Sequence, residues 1–449
     1  MLMTTKVTFP NSRMASIKMA GGIREILARA EEMEREGRSI IHMEIGRPDF
    51  DSPECAKEAA AAALRAGNVH YTDMAGAYDL RCAVAEKYRR DNGMDVDADK
   101  NVVITNGAME ALTASFLTLL EPGDEVIVPA PYFSAYADVL AIANGVLVPV
   151  ATRMEDGFKL HVEDLKKART AKTKAILLNS PNNPSGAVLT RENLEEIAAF
   201  AIENDIWVIS DECYEKFLYD GEHVSIASMP GMDERTVTVS AASKTWSMTG
   251  WRIGWIVAPA AMRQYVNKCH QNLTTCANSF AQAGVVEAFA HAGPDVEAMV
   301  KEYRRRRDMV VSWLNKIDGF EAITPAGAFY AFPRISSLGM DGFKFCSWLL
   351  EEAGVSTVPG EVFGMPGHIR LAYCRGYDYI EEGMKRTQGR YVVIENRREA
   401  IRYALEMGRE GDVIILAGKG NETYQDIMGV KRPFDEKVVV RELLAEMRA

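Results

Sequence analysis

Cysteine is sparse in this sequence and never paired. Seven cysteines, at 55, 82, 213, 269, 276, 346 and 374, are scattered over 449 residues with no C-x-x-C spacing. An odd, widely spaced set argues against a disulfide framework or a zinc ribbon and points to a reducing compartment. The seven histidines show no H-x-x-x-H spacing, so no metal site is expected. No apolar run approaches the ~20 residues that span a bilayer. The first residues, MLMTTKVTFPNSRM, lack the apolar core of an export signal. The expectation is a cytoplasmic protein with no membrane partner. Positive charge is also in deficit: 52 Lys and Arg stand against 63 Asp and Glu, a net charge of −11. That balance argues against nucleic acid as a partner. The only basic cluster, YRRRRD at 303–308, reads as a solvated helix face.

What the chain does have is apolar content and a regular alternation of elements. Hydrophobic residues make up 47% of it, enough for a large core in two or three domains. KNVVITNGAMEALTASFLTLL reads as strand, glycine turn and helix. DEVIVPAP, TKAILLNSPNNPSG, IWVISDE and RTVTVSAASKT each carry a short Val/Ile-rich strand, and ENLEEIAAFAIEND is an amphipathic helix between two of them. Continuous apolar strands separated by helices predict a mostly parallel sheet covered on both faces. From about 290 the pattern changes to a long charged helix followed by mixed strands and helices, a smaller α+β domain. The expected division is 1–45 as a segment joining the small domain, 46–288 as the large domain, 289–388 as the small domain and 389–449 as an αβα extension. In that extension REAIRYALEMG and FDEKVVVRELLAEMR read as helices and DVIILAG as a strand.

Ligands of open parallel sheets bind at the carboxyl ends of strands. The polar residues at those ends are Asn106-Gly107-Ala108, Asn183, Asp211 with Tyr214, and Lys244 with Arg252. The last pair lies in SKTWSMTGWRIGW, 243–255, which is too apolar and too glycine-punctuated for a solvated helix. Singly, each of these residues has a bland reading as a cap, a turn or a packing residue. In this order they form a constellation.

Nine motifs carry a family resemblance: GRPDFDSP (46–53), HYTDMAGAYDLR (70–81), TNGAMEAL (105–112), PAPYF (129–133), NSPNNPSG (179–186), SDECYEKF (210–217), SKTWSMTGWRIG (243–254), PAGAFYAFP (325–333) and VPGEVFGMPGHIRLAY (358–373). In order and content they resemble the class I aminotransferases, pyridoxal-phosphate enzymes of fold type I. The resemblance implies a large domain built on a seven-stranded, mostly parallel sheet, pyridoxal 5'-phosphate as cofactor, and transfer of an α-amino group from an L-amino acid to a 2-oxo acid such as 2-oxoglutarate. Lys244 would form the Schiff base with the cofactor and move the proton at the substrate α-carbon. Asp211 would keep the pyridine nitrogen protonated, and Tyr214 and Asn183 would bond the ring oxygen. Gly107, Ala108, Met109, Ser243 and Arg252 would surround the phosphate, and Phe133 would stack on the ring. Tyr71 would reach the phosphate of a second subunit, which implies a homodimer with shared sites. Arg370, with the N–H of Gly46 and with Asn183, would take the substrate carboxylate.

Three positions depart from the family pattern. Arg47 stands at the substrate mouth, as the ligand of a distal carboxylate or as a member of a surface ion pair. Met109 replaces a lysine found in acid-specific relatives. Ala241 removes one phosphate hydroxyl. Donors left open are aspartate, glutamate, alanine, aromatic residues and diaminopimelate, the last favoured by the cell-wall likeness of the tail. The scaffold also leaves open a β-lyase, decarboxylase or racemase outcome, and a non-catalytic regulator. The regulator is disfavoured by an intact Lys244, Asp211 and Arg370. Residues 390–449 resemble the end of the carboxy-terminal domain of Mur ligases, with Gly418 and Glu422 at the positions that touch the added amino acid there and Asn421 in place of a histidine. That likeness implies an accessory or assembly module, or a passive remnant.

Overall fold

A computed structural model describes residues 23–387 without a break, positions 10, 14, 15 and 17 before them, and in the tail 396–408, 423–427 and 430–447 with isolated positions between. The chain divides into two compact units, Met1–Gln388 and Gly389–Ala449.

The first unit is built on a seven-stranded sheet. Its strands are β2 (Val102–Thr105), β3 (Glu125–Ala130), β4 (Val146–Ala151), β5 (Thr173–Asn179), β6 (Trp207–Asp211), β7 (Thr236–Ala241) and β8 (Gly254–Val257), preceded in the chain by a short β1 (Ile41–His42). Their order in space is β2-β8-β7-β6-β5-β3-β4. Strands β7, β6, β5, β3 and β4 pair in parallel, and β8 runs antiparallel to both of its neighbours. Alternate side chains go to opposite faces, as the two-residue strand period requires. Val126, Val128, Leu177 and Ile209 pack with the Ala108–Leu119 and Ala135–Ile142 helices. Ile127, Ile176, Leu178 and Val208 pack with the Arg191–Glu203 helix on the other face. Burial on both faces is why these strands read as unbroken Val/Ile runs.

Trp246 and Trp255 belong to a third cluster, with Tyr88 and the Ser279–His291 helix. Trp246 meets the ring of Phe289 at 4.6 Å, and Trp255 Nε1 donates to Tyr88 Oη at 3.2 Å. Trp251 is half-buried and donates to Ser52 Oγ at 3.0 Å.

The smaller domain carries a three-stranded antiparallel sheet, β11 (Val358–Pro359), β12 (Ile369–Ala372) and β9 (Tyr330–Ala331), and the Gly293–Leu314, Gly342–Ala353 and Tyr377–Arg386 helices. Strand β1 pairs in parallel with β10 (Val355–Ser356). The Ile23–Arg35 helix adds Arg29, which bonds Glu351 at 2.6 Å.

YRRRRD is not the solvated face expected of it. Arg306 and Arg307 are buried on the long helix. Arg306 bonds Asp49 at 2.9 Å and Glu302 at 2.9 Å, and its guanidinium lies over the rings of Phe50 and Tyr303. Arg307 bonds Asp220 at 2.7 Å and the Pro325 carbonyl at 3.0 Å. Two arginines can be buried because each is paired and hydrogen-bonded.

The second unit has the Arg397–Met407 and Glu436–Glu446 helices, capped by Asn396 and Asp435. Ile401, Val439 and Leu443 form its small core. Arg398 bonds Glu442 and Glu446, and Arg402 bonds Glu446. Between the helices lies an antiparallel hairpin, β13 (Tyr424–Ile427) and β14 (Val430–Pro433), which the sequence did not suggest. The expected strand DVIILAG falls almost entirely outside the described residues, and Gly418, Asn421 and Glu422 lie outside them altogether.

Behind β6 sits a buried charge network. Lys87 bonds Glu215, and Glu212 accepts from His223, Ser210 Oγ and Ser225 Oγ. Removing one member strands the other in apolar surroundings. Lys87→Met should therefore cost about 3–5 kcal/mol, read as a lower melting temperature of the apoprotein. A melting temperature unchanged from wild type would refute it.

Candidate active site

Five strand ends converge on one edge of the large sheet. Strands β2, β5, β6 and β7 finish at Thr105, Asn179, Asp211 and Ala241. Strand β8, running the other way, starts there at Gly254. The reversal between β7 and β8 brings Lys244 and Arg252 back to the same edge. A cavity of about 270 Å³ opens at this edge, with both residues in its wall.

Lys244 sits on the short Ala242–Thr245 helix that follows β7. Its Nζ donates to the Gly46 carbonyl at 2.7 Å. Burial pulls the amine below the ordinary lysine range, and the Arg370 and Arg252 guanidiniums pull in the same direction. Burial of this amine disfavours its charged form and so favours the nucleophilic one.

Asp211 ends β6 and is buried. Tyr136 Oη donates to Oδ2 at 2.7 Å, and the Cys213 N–H donates to Oδ1 at 3.2 Å. Burial raises its pKa against the opposing effect of these donors. A carboxylate held this way, with neutral partners, is stabilised by a cationic group arriving in the cavity. Tyr214 Oη and Tyr330 Oη lie 2.8 Å apart, and burial raises both phenols, Tyr330 to about 12.

The turn between β2 and the Ala108–Leu119 helix forms an anion cradle. Gly107 is the N-cap, has φ +79°, and has no side chain to accept from the first turn. The N–H groups of the first turn thus have no intrahelical partner and carry the positive end of the helix dipole. Arg252, itself at φ +55°, donates to the Asn106 carbonyl at 3.2 Å and the Thr249 carbonyl at 3.1 Å. A Cβ on Gly107 would lie 2.4 Å from the Arg252 guanidinium, so glycine is what lets the arginine close over the turn. Ser243 lines the cavity beside it.

Arg370 on β12 enters the cavity from the small domain and is buried. Nη1 donates to Asn183 Oδ1 at 3.0 Å, and Nη2 donates to the Glu44 carbonyl. The guanidinium lies between the rings of Tyr330 and Phe363, at 4.7 and 4.8 Å. Its Nε is buried with no protein acceptor among the described residues.

Of the residues singled out in the sequence, Gly46, Ala108, Met109, Phe133, Asn183, Asp211, Tyr214, Ser243, Lys244, Arg252 and Arg370 all face this cavity. Gly107 shapes the turn without lining it. Tyr71 is elsewhere, 80% exposed, and Arg47 is exposed on its loop. Asn183 bonds Arg370 here, and its N–H is held by Asn179 Oδ1 at 2.8 Å. Tyr136, Asn179, Thr249 and Tyr330 also line the cavity and were not anticipated. Asn179 opens NSPNNPSG and Tyr330 lies within PAGAFYAFP, so the motifs held them. Tyr136, in ordinary helical sequence, carried no signal.

The family model for aminotransferase class I and II matches residues 38–385. The chain belongs to the class I and II aminotransferases. It is 43% identical over 356 residues to an aspartate aminotransferase of Pyrococcus abyssi, covering 78% of this chain and 91% of that one. It is 42% identical over 354 residues to aromatic-amino-acid aminotransferase 2 of Thermococcus litoralis, with the same coverage of 78% and 91%. The solved aspartate aminotransferase of Thermus thermophilus with maleate superposes with a TM-score of 0.79 at 39% identity, covering 84% of this chain and 97% of that one. The matched family span ends at 385, and none of these comparisons supports the likeness of residues 390–449 to Mur ligases.

This aminotransferase is pyridoxal-phosphate-dependent, and its cavity fits the cofactor. A depressed lysine amine, a buried carboxylate with neutral partners, an uncapped helix end with an arginine, and an unpartnered arginine Nε are what an aldehyde, a pyridinium, a phosphate and a carboxylate require. No described helix is long and apolar enough to cross a membrane.

Gly254 tests the cradle. A Cβ there would meet the Gly107 carbonyl carbon at 2.6 Å and the Ala108 nitrogen at 2.8 Å, both backbone. Gly254→Ala should push the turn away from Arg252 and weaken pyridoxal phosphate binding about tenfold or more, read by titrating the apoprotein in the visible. Wild-type affinity would count against the cradle.

Proposed function

We propose that the enzyme transfers the α-amino group of an aromatic L-amino acid, with aspartate as a second donor, to 2-oxoglutarate. The observation that carries the donor is the apolar part of the cavity lining, to which Met109, Leu112, Phe133 and Tyr330 contribute. The named activities of the Thermococcus and Pyrococcus relatives support both donor classes. Arg47, exposed on the Gly46 loop, is the group we assign to the distal carboxylate of the acceptor.

The bound cofactor supplies the electron sink that makes the substrate α-proton removable. Lys244 would hold the cofactor aldehyde and, as an amine, would move the proton at the substrate α-carbon. Asp211, oriented by Tyr136, holds the proton on the ring nitrogen. Tyr214, braced by Tyr330, and Asn183 would bond the ring oxygen, and Phe133 would pack against the ring. The N–H groups of Gly107, Ala108 and Met109, with Ser243 and Arg252, hold the phosphate. Arg370, aligned by Asn183, takes the substrate carboxylate together with the Gly46 N–H.

Further parts of the proposal concern assembly. The exposure of Tyr71 supports its assignment to the site of a second copy in a homodimer. The boundaries 1–45, 46–288, 289–388 and 389–449 are retained as the domain division, and the tail is assigned an accessory role in assembly.

Amino acids added singly should bleach the visible band of the holoenzyme with aromatic donors first, and 2-oxoglutarate should restore it. Lys244→Ala should show neither change, with turnover lower by about 10⁴-fold or more, the scale of losing a nucleophile and base together. A band bleached only by aliphatic donors would overturn the donor assignment. Conversion without any 2-oxo acid would favour the lyase, decarboxylase or racemase alternative. Sedimentation of the full chain and of residues 1–388 tests assembly: a dimer is expected for the first and a weaker one for the second. Equal association of the two would refute the role given to the tail.

A further inference from the structure

Glu110 lies in TNGAMEAL, yet neither it nor its partner His270 lines the cavity. Its carboxylate sits behind the anion cradle. One oxygen accepts from the Asn106 N–H at 2.6 Å and Asn106 Nδ2 at 3.0 Å. The other accepts from His270 Nδ1 at 2.7 Å and Thr274 Oγ1 at 3.0 Å. His270 is fully buried on the Ala260–Thr274 helix. Burial pushes the Glu110 carboxyl up, but the His270 and Asn106 bonds outweigh that and hold it below its usual range. It is therefore ionised and accepts all four bonds.

A carboxylate in the first turn of a phosphate-binding helix is electrostatically odd. It competes with the phosphate for the same positive helix end. Its geometry explains it. By accepting from the Asn106 N–H and side-chain amide it holds the residue whose carbonyl receives Arg252 Nη2, and it takes none of the N–H groups of the helix's first turn. The bonds from His270 and Thr274 anchor that arrangement to a second helix. A glutamate at the third helical position reaching back to the preceding backbone is also a helix-capping device, and capping alone would act on fold stability only.

We infer that Glu110, held by His270, is a positioning residue for the cofactor phosphate: it sets the Asn106–Arg252 contact and the direction of the first-turn N–H groups. This rests on the assignment of that turn and Arg252 to the phosphate. The test compares pyridoxal phosphate with pyridoxal, which lacks the phosphate, as ligands of the apoprotein by fluorescence and visible titration, with melting temperature as a control. Glu110→Gln should weaken pyridoxal phosphate about tenfold, the scale of charged hydrogen bonds lost, and leave pyridoxal unchanged. His270→Gln should show the same selectivity with a smaller loss, and it carries the comparison if Glu110→Gln does not fold. Equal losses for both ligands would mean capping only and overturn the inference, as would unchanged affinity. Tighter binding of pyridoxal phosphate would mean that the Glu110 charge merely repels it, and would also overturn it. Arg252→Gln separates the two readings. If it weakens pyridoxal phosphate selectively and the Glu110 and His270 variants do not, only the inference fails. If it shows no phosphate selectivity, the phosphate assignment fails and takes the inference with it.

Discussion

The site depends on keeping an amine and a carboxylate that share one cavity from pairing with each other. Lys244 and Asp211 both face it, and an ion pair between them would charge the amine and consume the carboxylate. Neither bonds the other. The amine donates to the Gly46 carbonyl, while the carboxylate accepts from Tyr136 and the Cys213 N–H. Each is held by neutral groups, so each keeps its reactivity for an incoming molecule. The parallel sheet provides the separation. Asp211 ends β6, Lys244 follows the end of β7, and these adjacent strands fix their spacing.

The same sheet sorts the rest of the chemistry by charge. The positive helix end and Arg252 lie at the β2 and β8 ends, and Arg370 enters from the small domain. Arg252 and Arg370 thus face one cavity from different parts of the chain, and Lys244 lines the same cavity. Arg306, buried on the long helix and bonded to Asp49, ties that helix to the loop carrying Gly46, whose carbonyl holds the amine. The small domain thereby contributes to the nucleophile as well as to the substrate end.

Most of this was legible in the sequence because the chemistry sits at strand ends, and strand ends are where Val/Ile runs stop at polar residues. VISDE and TVSAASK place Asp211 and Lys244 at strand ends, and it took their order along the chain and the family resemblance to give them roles. The second layer was not legible. Tyr136 and His270 reach their partners from helices whose sequence looks like ordinary core, across 75 and 160 positions. YRRRRD misled for the same reason: a charge run reads as solvated unless its partners are known, and Asp49 and Asp220 lie 257 and 87 positions away. In the tail, the hairpin strands YQDI and VKRP lack the apolar alternation that marks a strand.

The antiparallel course of β8 has a consequence for chain length. The eight steps from Lys244 to Arg252 descend no strand and cross no helix layer. They form a bridge whose two feet stand on neighbouring strands. Both feet are fixed, one by the β7–β8 register at Ala241 and Gly254 and the other by backbone contact of Gly254 with the 107–108 turn. Side chains on the span can vary as packing allows. The number of residues in it cannot, because one more or one fewer would shift the guanidinium relative to the amine by a whole peptide unit. Insertions and deletions are thus barred from this loop although it is not regular structure, the reverse of the usual tolerance of connecting segments.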